Sequence, residues 1–167
     1  MVLDAKKMIS SVLIVDDSLE ERGLYRIYFE KSGRFLNLHF AESAAQALQL
    51  LIGDTNLNDD LRKGMDESIL SPDLILLDIN MPRMNGFEFL EVLKGYWQSE
   101  SSKHSTNQSE RPIIVLATGS KSPKDRKRGF GTGIVHEFIT KPVDLDKANW
   151  LADNFGTLPA TVKGHSK

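Results

Sequence analysis

Apolar residues in this chain are concentrated in five short runs, at residues 12–15, 36–40, 74–77, 113–117 and 135–139. The first, third and fourth runs contain no polar residue, whereas the second alternates apolar with polar positions and the fifth includes His136 and Glu137. Continuous apolar runs of this length are typical of strands buried on both faces, and alternation is typical of strands at a sheet edge. The pattern therefore predicts three central strands and two edge strands.

The segments between these runs carry the signals of helices. Ser18 with Glu21 and Ser43 with Gln46 have the spacing of capping boxes, and Asp144 precedes the last helical pattern as a cap. Apolar residues that recur at helical spacing are predicted to face the core, namely Leu24, Ile27, Tyr28, Ala44, Ala47, Leu48, Leu51, Phe87, Phe89, Leu90, Leu93, Leu145, Ala148, Leu151 or Ala152, and Phe155. Strands alternating with helices predict an α/β fold with a doubly wound, five-stranded parallel sheet in the order 2-1-3-4-5.

Two polar stretches interrupt this alternation. Residues 53–71 are rich in Asp, Asn and Gly and are predicted to form a long connection, and the serine-rich residues 99–110 are predicted to form a flexible loop. We assign residues 1–10 to an N-terminal extension, 11–156 to one folded domain and 157–167 to a flexible C-terminal tail.

The composition is that of an ordinary globular domain. The 167 residues are 40% hydrophobic and 26% charged with a formal net charge of −2, so no global charge points to nucleic acid or an anionic membrane surface. Cysteine is absent, which excludes disulfides, thiol nucleophiles and thiolate metal sites. No run approaches the roughly 20 apolar residues that span a bilayer, so we expect a cytoplasmic protein that binds neither nucleic acid nor membrane.

Four of the predicted strands end on polar residues with complementary chemistry. Asp16 and Asp17 follow the first strand, Asp78 the third, Thr118 the fourth and Lys141 the fifth. The carboxyl ends of parallel strands lie on one edge of a sheet, so these side chains are predicted to converge. Three clustered carboxylates repel one another without a cation, and oxygen ligands of this kind suit Mg²⁺. A carboxylate can attack phosphorus while Mg²⁺, a lysine and a threonine hydroxyl hold the phosphoryl oxygens, so Asp78 on the central strand is the predicted nucleophile.

This arrangement resembles the receiver domain of response regulators in two-component signalling. The residues that carry the resemblance are Asp16-Asp17, Leu77-Asp78-Ile79-Asn80-Met81-Pro82, Met84-Asn85-Gly86, Thr118 and Lys141-Pro142. The resemblance extends over about residues 11–156 and implies a flavodoxin-like fold with three αβα layers. It implies that Asp78 accepts a phosphoryl group from a histidine kinase or a histidine phosphotransfer protein, so that the chain is a phosphoacceptor and not an enzyme acting on other substrates.

The resemblance also implies how Mg²⁺ would be held. Asp17, Asp78 and the backbone carbonyl of Asn80 would ligate the ion directly, and Asp16 would act on it mainly through a water molecule.

Further roles in phosphorylation and switching follow from the same resemblance. Lys141 would pair with the phosphoryl group, and Thr118 would hydrogen-bond to it. Phe138 occupies the position of the aromatic switch, whose ring turns inward as the threonine moves toward the phosphoryl group. A downstream protein would bind the face formed by helix 4, strand 5 and helix 5.

Three alternatives stay open from the sequence. Phe138 can be a permanent core residue, because a phenyl ring lacks the hydroxyl that would anchor an outward state. A phosphatase with an aspartyl nucleophile would want a second acid two residues after Asp78, where Asn80 stands. The chain can also be a module of the same fold that binds partners without phosphorylation.

Two segments near the end of the chain depart from the family pattern or suggest a further role. Residues 129–133 read Gly-Phe-Gly-Thr-Gly where the family often has a run of small residues, so the resemblance does not define the conformation of the fourth helix. The preceding segment is basic and is interpreted as a solvated helix face that can also dock a partner; its charged residues are Lys121, Lys124, Arg126, Lys127 and Arg128. No DNA-binding or catalytic module follows the last helix, so we expect a stand-alone receiver that signals by protein contact or passes the phosphoryl group onward.

Overall fold

The computed structural model describes residues 7–53, 69–103, 111–119 and 122–158, in which five strands alternate with five helices. The strands are β1 (Ile9–Val15), β2 (Phe35–Ala41), β3 (Leu74–Asp78), β4 (Ile113–Thr118) and β5 (Glu137–Thr140). The helices are α1 (Leu19–Ser32), α2 (Ala44–Ile52), α3 (Gly86–Lys103), α4 (Pro123–Gly131) and α5 (Leu145–Asn154).

The five strands form one parallel sheet in the order β2-β1-β3-β4-β5. All five residues of β3 are buried, as a continuous apolar run in the centre of a parallel sheet should be. The alternating run became the edge strand β2 and the mixed run became the edge strand β5. The predicted fold class and strand order are therefore confirmed.

Each face of the sheet is covered by helices, which gives three layers. On one face Ile14 and Leu76 pack with Tyr25 and Phe29 of α1 and with Leu151 of α5. On the opposite face the strand residues pack against α2, α3 and the end of α4, through a cluster that includes Leu13, Val15, Leu77, Ala47, Phe89, Leu90 and Phe130. Fully burying a leucine-sized side chain stabilises a fold by about 1.5–3 kcal/mol, so these two layers fix the sheet that carries the site.

The buried face of α1 differs from the prediction. Leu24 and Ile27 are exposed and Tyr28 is half-buried, whereas Tyr25 and Phe29 are almost completely buried. These two aromatic residues stand four positions apart and present more apolar area than the predicted set, so the helix turns them toward the sheet. The other predicted core residues of the helices are buried or half-buried.

Helix α3 continues through residues 99–103, which were predicted to belong to a loop. Serine is a weak helix former, but a helix nucleated by the apolar turn after Gly86 gains one hydrogen bond for each residue it adds. The Ser99 hydroxyl also donates to the carbonyl of Tyr96 at 2.8 Å. Residues 104–110, and residues 54–68 of the other predicted connection, lie outside the described part of the chain.

Two strands have bounds that differ from the predicted runs. β1 begins at Ile9, two residues before the start assigned to the folded domain, and β5 begins at Glu137 instead of residue 135. Before β5, Gly133 adopts a left-handed conformation with φ 76°, and the Thr132 hydroxyl donates to the carbonyl of Gly129. This turn ends α4 and delays the start of the strand.

All three predicted helix caps are present. The side chains of Ser18, Ser43 and Asp144 accept hydrogen bonds from backbone N–H groups three residues later. Ser18 matters most for function, because it fixes α1 directly after the two aspartates that end β1.

His136 directly precedes β5 and contacts β4 through a ring nitrogen. Its Nδ1 accepts a hydrogen bond from the backbone N–H of Ile114 at 3.0 Å. Burial lowers the pKa of His136 from its ordinary 6.5, and a hydrogen bond with the Ile134 backbone opposes this shift. The neutral ring is therefore the form that the fold favours.

We expect this contact to be lost in mild acid. Because the folded-state pKa lies below the unfolded value, the stability contribution is complete above about pH 6.5 and falls as the pH drops through the folded pKa. The loss should be about 1 kcal/mol, the size of one hydrogen bond, and is measured by urea unfolding across this pH range. The control is His136→Asn, whose amide oxygen can accept from Ile114 without titrating. An identical pH dependence in the variant and the wild type would contradict this role for His136.

Candidate functional site

Three aspartates meet at the carboxyl ends of β1 and β3, as the sequence predicted. Asp16 and Asp17 follow β1, Asp78 ends β3, and one carboxylate oxygen of each lies within 4.8 Å of the others. Asp16 and Asp78 are buried and Asp17 is exposed. Three carboxylates at this separation repel one another, and their hard oxygen atoms are the ligands that Mg²⁺ prefers. The donor set fits a magnesium ion that is open to solvent on the side of Asp17.

Lys141 supplies the positive charge of the cluster. It follows β5 and places its Nζ 2.6 Å from Oδ2 of Asp16 and 3.3 Å from Oδ1 of Asp78. Burial by itself lowers the pKa of Lys141. The hydrogen bond to Asp16 and the charges of both carboxylates raise this pKa by a larger amount, so the net shift is upward. The lysine is therefore a charged bridge between β1 and β3.

Asp78 lies in an environment that disfavours its ionised form. Burial raises the pKa of Asp78, and the charge of Asp16 adds to this shift, while Lys141 and the backbone N–H of Asn80 oppose it. The net shift is upward. A cation or a positively polarised group beside Asp78 would thus relieve an existing electrostatic cost.

Thr118 and Asn80 lie at the same edge of the sheet. Thr118 ends β4, is 3% exposed, and its carbonyl accepts a hydrogen bond from the N–H of Lys141 at 2.9 Å. Asn80 is exposed in the segment that follows β3. The structure brings the predicted phosphorylation and metal residues to one end of the sheet, whereas the switch residue Phe138 lies within β5 opposite Leu116. The individual roles of these residues stay predictions.

Gly86 fixes the segment that follows Asp78. Its N–H donates to the carbonyl of Ile79 at 2.9 Å, which closes the turn between β3 and α3. A Cβ atom at this position would lie 2.6 Å from the Asp78 carbonyl oxygen and 2.9 Å from the Ile79 Cα atom. Both contacts are with backbone, so only glycine permits this approach.

Replacing Gly86 with alanine is expected to lower the free energy of unfolding by about 2 kcal/mol, because the backbone that carries Asp78 must shift. Urea unfolding measures the change. The matched control is Gly95→Ala within α3, where a Cβ would meet no heavy atom within 4 Å among the described residues beyond its own stretch of helix. This change should be neutral or slightly stabilising. Unchanged stability in Gly86→Ala would show that the turn has room for a side chain.

Phe138 is buried, with its ring turned inward against α4. It meets Phe130 edge-on with the ring centroids 5.0 Å apart, and the Arg126 guanidinium lies 5.2 Å from the Phe138 centroid. A Cβ on Gly129 would approach Cε2 of this ring to 2.9 Å. The inward position of the Phe138 ring therefore depends on Gly129, which belongs to the glycine-rich residues 129–133 that depart from the family pattern. These residues do not prevent a helix here, because α4 is helical through Gly131.

Sequence reasoning missed two contacts of Asp16. The Tyr25 hydroxyl donates to Oδ2 of Asp16 at 3.3 Å, and the Arg22 guanidinium donates to the Asp16 carbonyl at 2.6 Å. Tyr25 and Phe29 stand four positions apart, and this aromatic pair was the available signal that Tyr25 faces inward.

The fold and the site together define a class of protein. A parallel sheet in the order 2-1-3-4-5, with three carboxylates, a lysine and a threonine at the carboxyl ends of its strands, is characteristic of the receiver domains of signalling proteins. The family model for the response regulator receiver domain matches residues 12–149. The chain belongs to this family, whose members accept phosphoryl groups from histidine kinases or phosphotransfer proteins. None of the helices in the described residues is long and apolar enough to cross a membrane.

Individual relatives agree with this assignment. The chain is 30% identical over 137 residues to a probable cyclic di-GMP phosphodiesterase of Vibrio cholerae, covering 81% of this chain and 24% of that protein. It is 28% identical to the cell cycle response regulator CtrA of Brucella ovis, covering 80% of this chain and 53% of that one. A two-component response regulator from Legionella pneumophila has a similar structure, with a TM-score of 0.66, 26% identity and coverage of 89% and 98% of the two chains. The chain thus spans about a quarter of the length of the Vibrio cholerae protein and about half of the length of the Brucella ovis protein.

Proposed function

We propose that the chain is a response regulator receiver that is phosphorylated on Asp78 in a Mg²⁺-dependent reaction. A carboxylate oxygen of Asp78 would attack the phosphorus of a phosphohistidine. The P–O bond forms as the P–N bond breaks, and the imidazole nitrogen keeps the bonding electron pair. The observation that carries the proposal is the buried Asp78 carboxylate, which lies within 4.8 Å of two further carboxylates and 3.3 Å from the Lys141 ammonium.

Magnesium would be held by Asp17, Asp78 and the backbone carbonyl of Asn80, with Asp16 acting through a water. The bound ion would neutralise the carboxylates and the transferring phosphoryl oxygens. Exposed Asp17 is the member of the cluster that solvent and an incoming donor reach first.

Lys141 and Thr118 would stabilise the phosphoryl group. Lys141 needs only to move its ammonium from the carboxylates to a phosphoryl oxygen, since it already lies between Asp16 and Asp78. Thr118 ends the neighbouring strand β4 beside Asp78, where its hydroxyl can donate to the same group. Both contacts place positive potential where the phosphoryl charge lies.

The test is to incubate the protein with acetyl phosphate and Mg²⁺ and to measure the intact mass. The expected result is one added phosphoryl group that depends on Mg²⁺. Absence of the adduct, under conditions that label a known receiver, would overturn the proposal and leave the phosphorylation-independent binding module. Steady release of phosphate from phosphate esters would instead favour the phosphatase, although exposed Asn80 stands where that reaction wants an acid.

We propose that Phe138 and Thr118 form the switch, with the buried ring as one of its positions. Gly129→Ala is expected to push the Phe138 ring out of this position, since an added methyl meets both the ring and Leu116 Cδ1, the latter at 3.0 Å. The variant should still accept a phosphoryl group but show a smaller phosphorylation-induced change in the NMR signals of β5. Gly131→Ala is the control, because a Cβ there would meet no heavy atom within 4 Å in the described part of the chain outside its own helical turn. A normal response in Gly129→Ala would support the alternative of a static core residue.

The proposed docking surface for a downstream protein is the face formed by α4, β5 and α5. Lys124, Arg126, Lys127 and Arg128 are exposed on α4, and Arg126 lies 3.4 Å from Glu137 of β5. This basic surface adjoins the Phe138 ring, so a change in the ring would alter the surface presented to a partner. A stand-alone arrangement and a cytoplasmic location stay predictions from the sequence.

A further inference from the structure

Tyr25 brings a neutral hydroxyl into the charged site from helix α1. The side chain is 1% exposed, and its hydroxyl donates to Oδ2 of Asp16 at 3.3 Å. A tyrosine hydroxyl, with an ordinary pKa of about 10, carries its proton at neutral pH. The hydroxyl is therefore a permanent hydrogen-bond donor beside Asp16.

The carboxylate of Asp16 is shared among three donors. Oδ1 accepts from the N–H of Ser18 at 2.9 Å, whereas Oδ2 accepts from both Tyr25 and Lys141. Asp16 is 1% exposed, so bulk solvent has little access to replace a lost side-chain donor. A buried carboxylate oxygen without a donor carries a substantial free-energy cost.

Transfer of Lys141 to a phosphoryl group would remove the stronger of the two donors to Oδ2, at 2.6 Å from it. Among the described residues, Tyr25 would then be the one side chain that still donates to this oxygen. We propose that Tyr25 is a positioning residue, which keeps Asp16 hydrogen-bonded and in place when Lys141 leaves it for the phosphoryl group on Asp78. This inference rests on the proposed function and deepens it.

The carboxylate of Glu21 is a second hydrogen-bond acceptor beside the Tyr25 hydroxyl. Oε2 of Glu21 is buried and, within the described residues, has no hydrogen-bond partner. The carboxylates of Asp16 and Glu21 thus both lie beside the Tyr25 hydroxyl. Tyr25→Phe removes this hydroxyl while it preserves the ring that packs in the core.

The first test measures the rate of adduct formation against acetyl phosphate concentration at saturating Mg²⁺. Tyr25→Phe should lower the maximal rate about tenfold, as loss of one hydrogen bond to a charged group does. The half-saturating concentration of acetyl phosphate should stay unchanged, because Tyr25 lies behind Asp16 and not on the solvent-exposed side of the site, where Asp17 lies. Tyr28→Phe, on the same helix and half-buried, is the matched control and should match the wild type.

A double variant separates positioning from simple packing. In a Lys141→Gln background no ammonium has to leave Asp16, so the further change Tyr25→Phe should have little effect on the rate. An equal tenfold loss in both backgrounds would overturn the inference, since it would show that Tyr25 acts independently of Lys141. An unchanged rate in the single variant would overturn it as well.

The last test uses the free protein and does not depend on phosphorylation. With ¹⁵N-labelled lysine, NMR reports hydrogen exchange of the Lys141 ammonium, which should slow several-fold in Tyr25→Phe because Asp16 Oδ2 then has Lys141 as its one strong donor. Unchanged exchange would show that the hydroxyl and the ammonium do not compete for Asp16 and would overturn the inference. Failure of the wild type to form an adduct would overturn the proposed function, and the exchange experiment would still decide whether Tyr25 and Lys141 share Asp16.

Discussion

Replacing Lys141 with glutamine is expected to lower the free energy of unfolding by about 3 kcal/mol in Mg²⁺-free buffer. The ammonium lies 2.6 Å from Asp16 and 3.3 Å from Asp78, and both carboxylates are buried. Its removal leaves two negative charges close together without a counter-charge. Urea unfolding at neutral pH measures the loss.

Magnesium should restore more stability to this variant than to the wild type, because the ion replaces the missing positive charge. Lys147→Gln is the matched control, since this lysine donates from α5 to the Pro142 carbonyl and lies in an exposed contact. A Lys141→Gln protein as stable as the wild type without Mg²⁺ would contradict the role of this lysine as the counter-charge of the cluster.

Replacing Asp78 with asparagine should abolish the phosphoryl adduct, because an amide oxygen is a poor nucleophile toward phosphorus. The same change should stabilise the Mg²⁺-free protein by about 1 kcal/mol, since it removes a buried charge that the fold disfavours. The pKa of Asp78 is raised above its ordinary 3.8, so the ionised form weakens the fold as the pH rises through the folded pKa. The gain should therefore be largest at neutral pH and vanish in acid below about pH 3.8.

Mass spectrometry and urea unfolding check these two effects of Asp78→Asn separately. Asp73→Asn is a suitable comparison, because Asp73 accepts from the N–H of Ser11 at the opposite end of β3. An adduct of normal yield in Asp78→Asn would place the phosphoryl group on another residue. A loss of stability at neutral pH would contradict the unfavourable charge of Asp78.

The fold and most of the site could be predicted because each depends on a local pattern. Continuous apolar runs identified β1, β3 and β4 as central, and parallel strands then required Asp16, Asp78 and Thr118 to meet at one edge. Capping boxes placed the start of α1 for a similar reason, since a cap is satisfied by residues three positions away.

Features that depend on tertiary packing could not be predicted in this way. The prediction of which face of α1 is buried was wrong. Helical spacing alone could not decide between Leu24 and Ile27 on one face and the larger aromatic pair, Tyr25 and Phe29, on another. The hydrogen bond from the Tyr25 hydroxyl to Asp16 depends on which face of α1 points inward, so it could not be predicted either. The close approach of Gly86 to the Asp78 carbonyl likewise depends on how α3 returns to the sheet.

The most direct measurement is to locate the phosphoryl group chemically. Borohydride reduces an aspartyl phosphate to homoserine, which peptide mass spectrometry identifies by position. After treatment with acetyl phosphate and Mg²⁺, homoserine is expected at position 78 and at no other position. Homoserine at position 16 or 17, or a phosphoryl group that survives borohydride, would contradict the assignment of Asp78 as the phosphoacceptor.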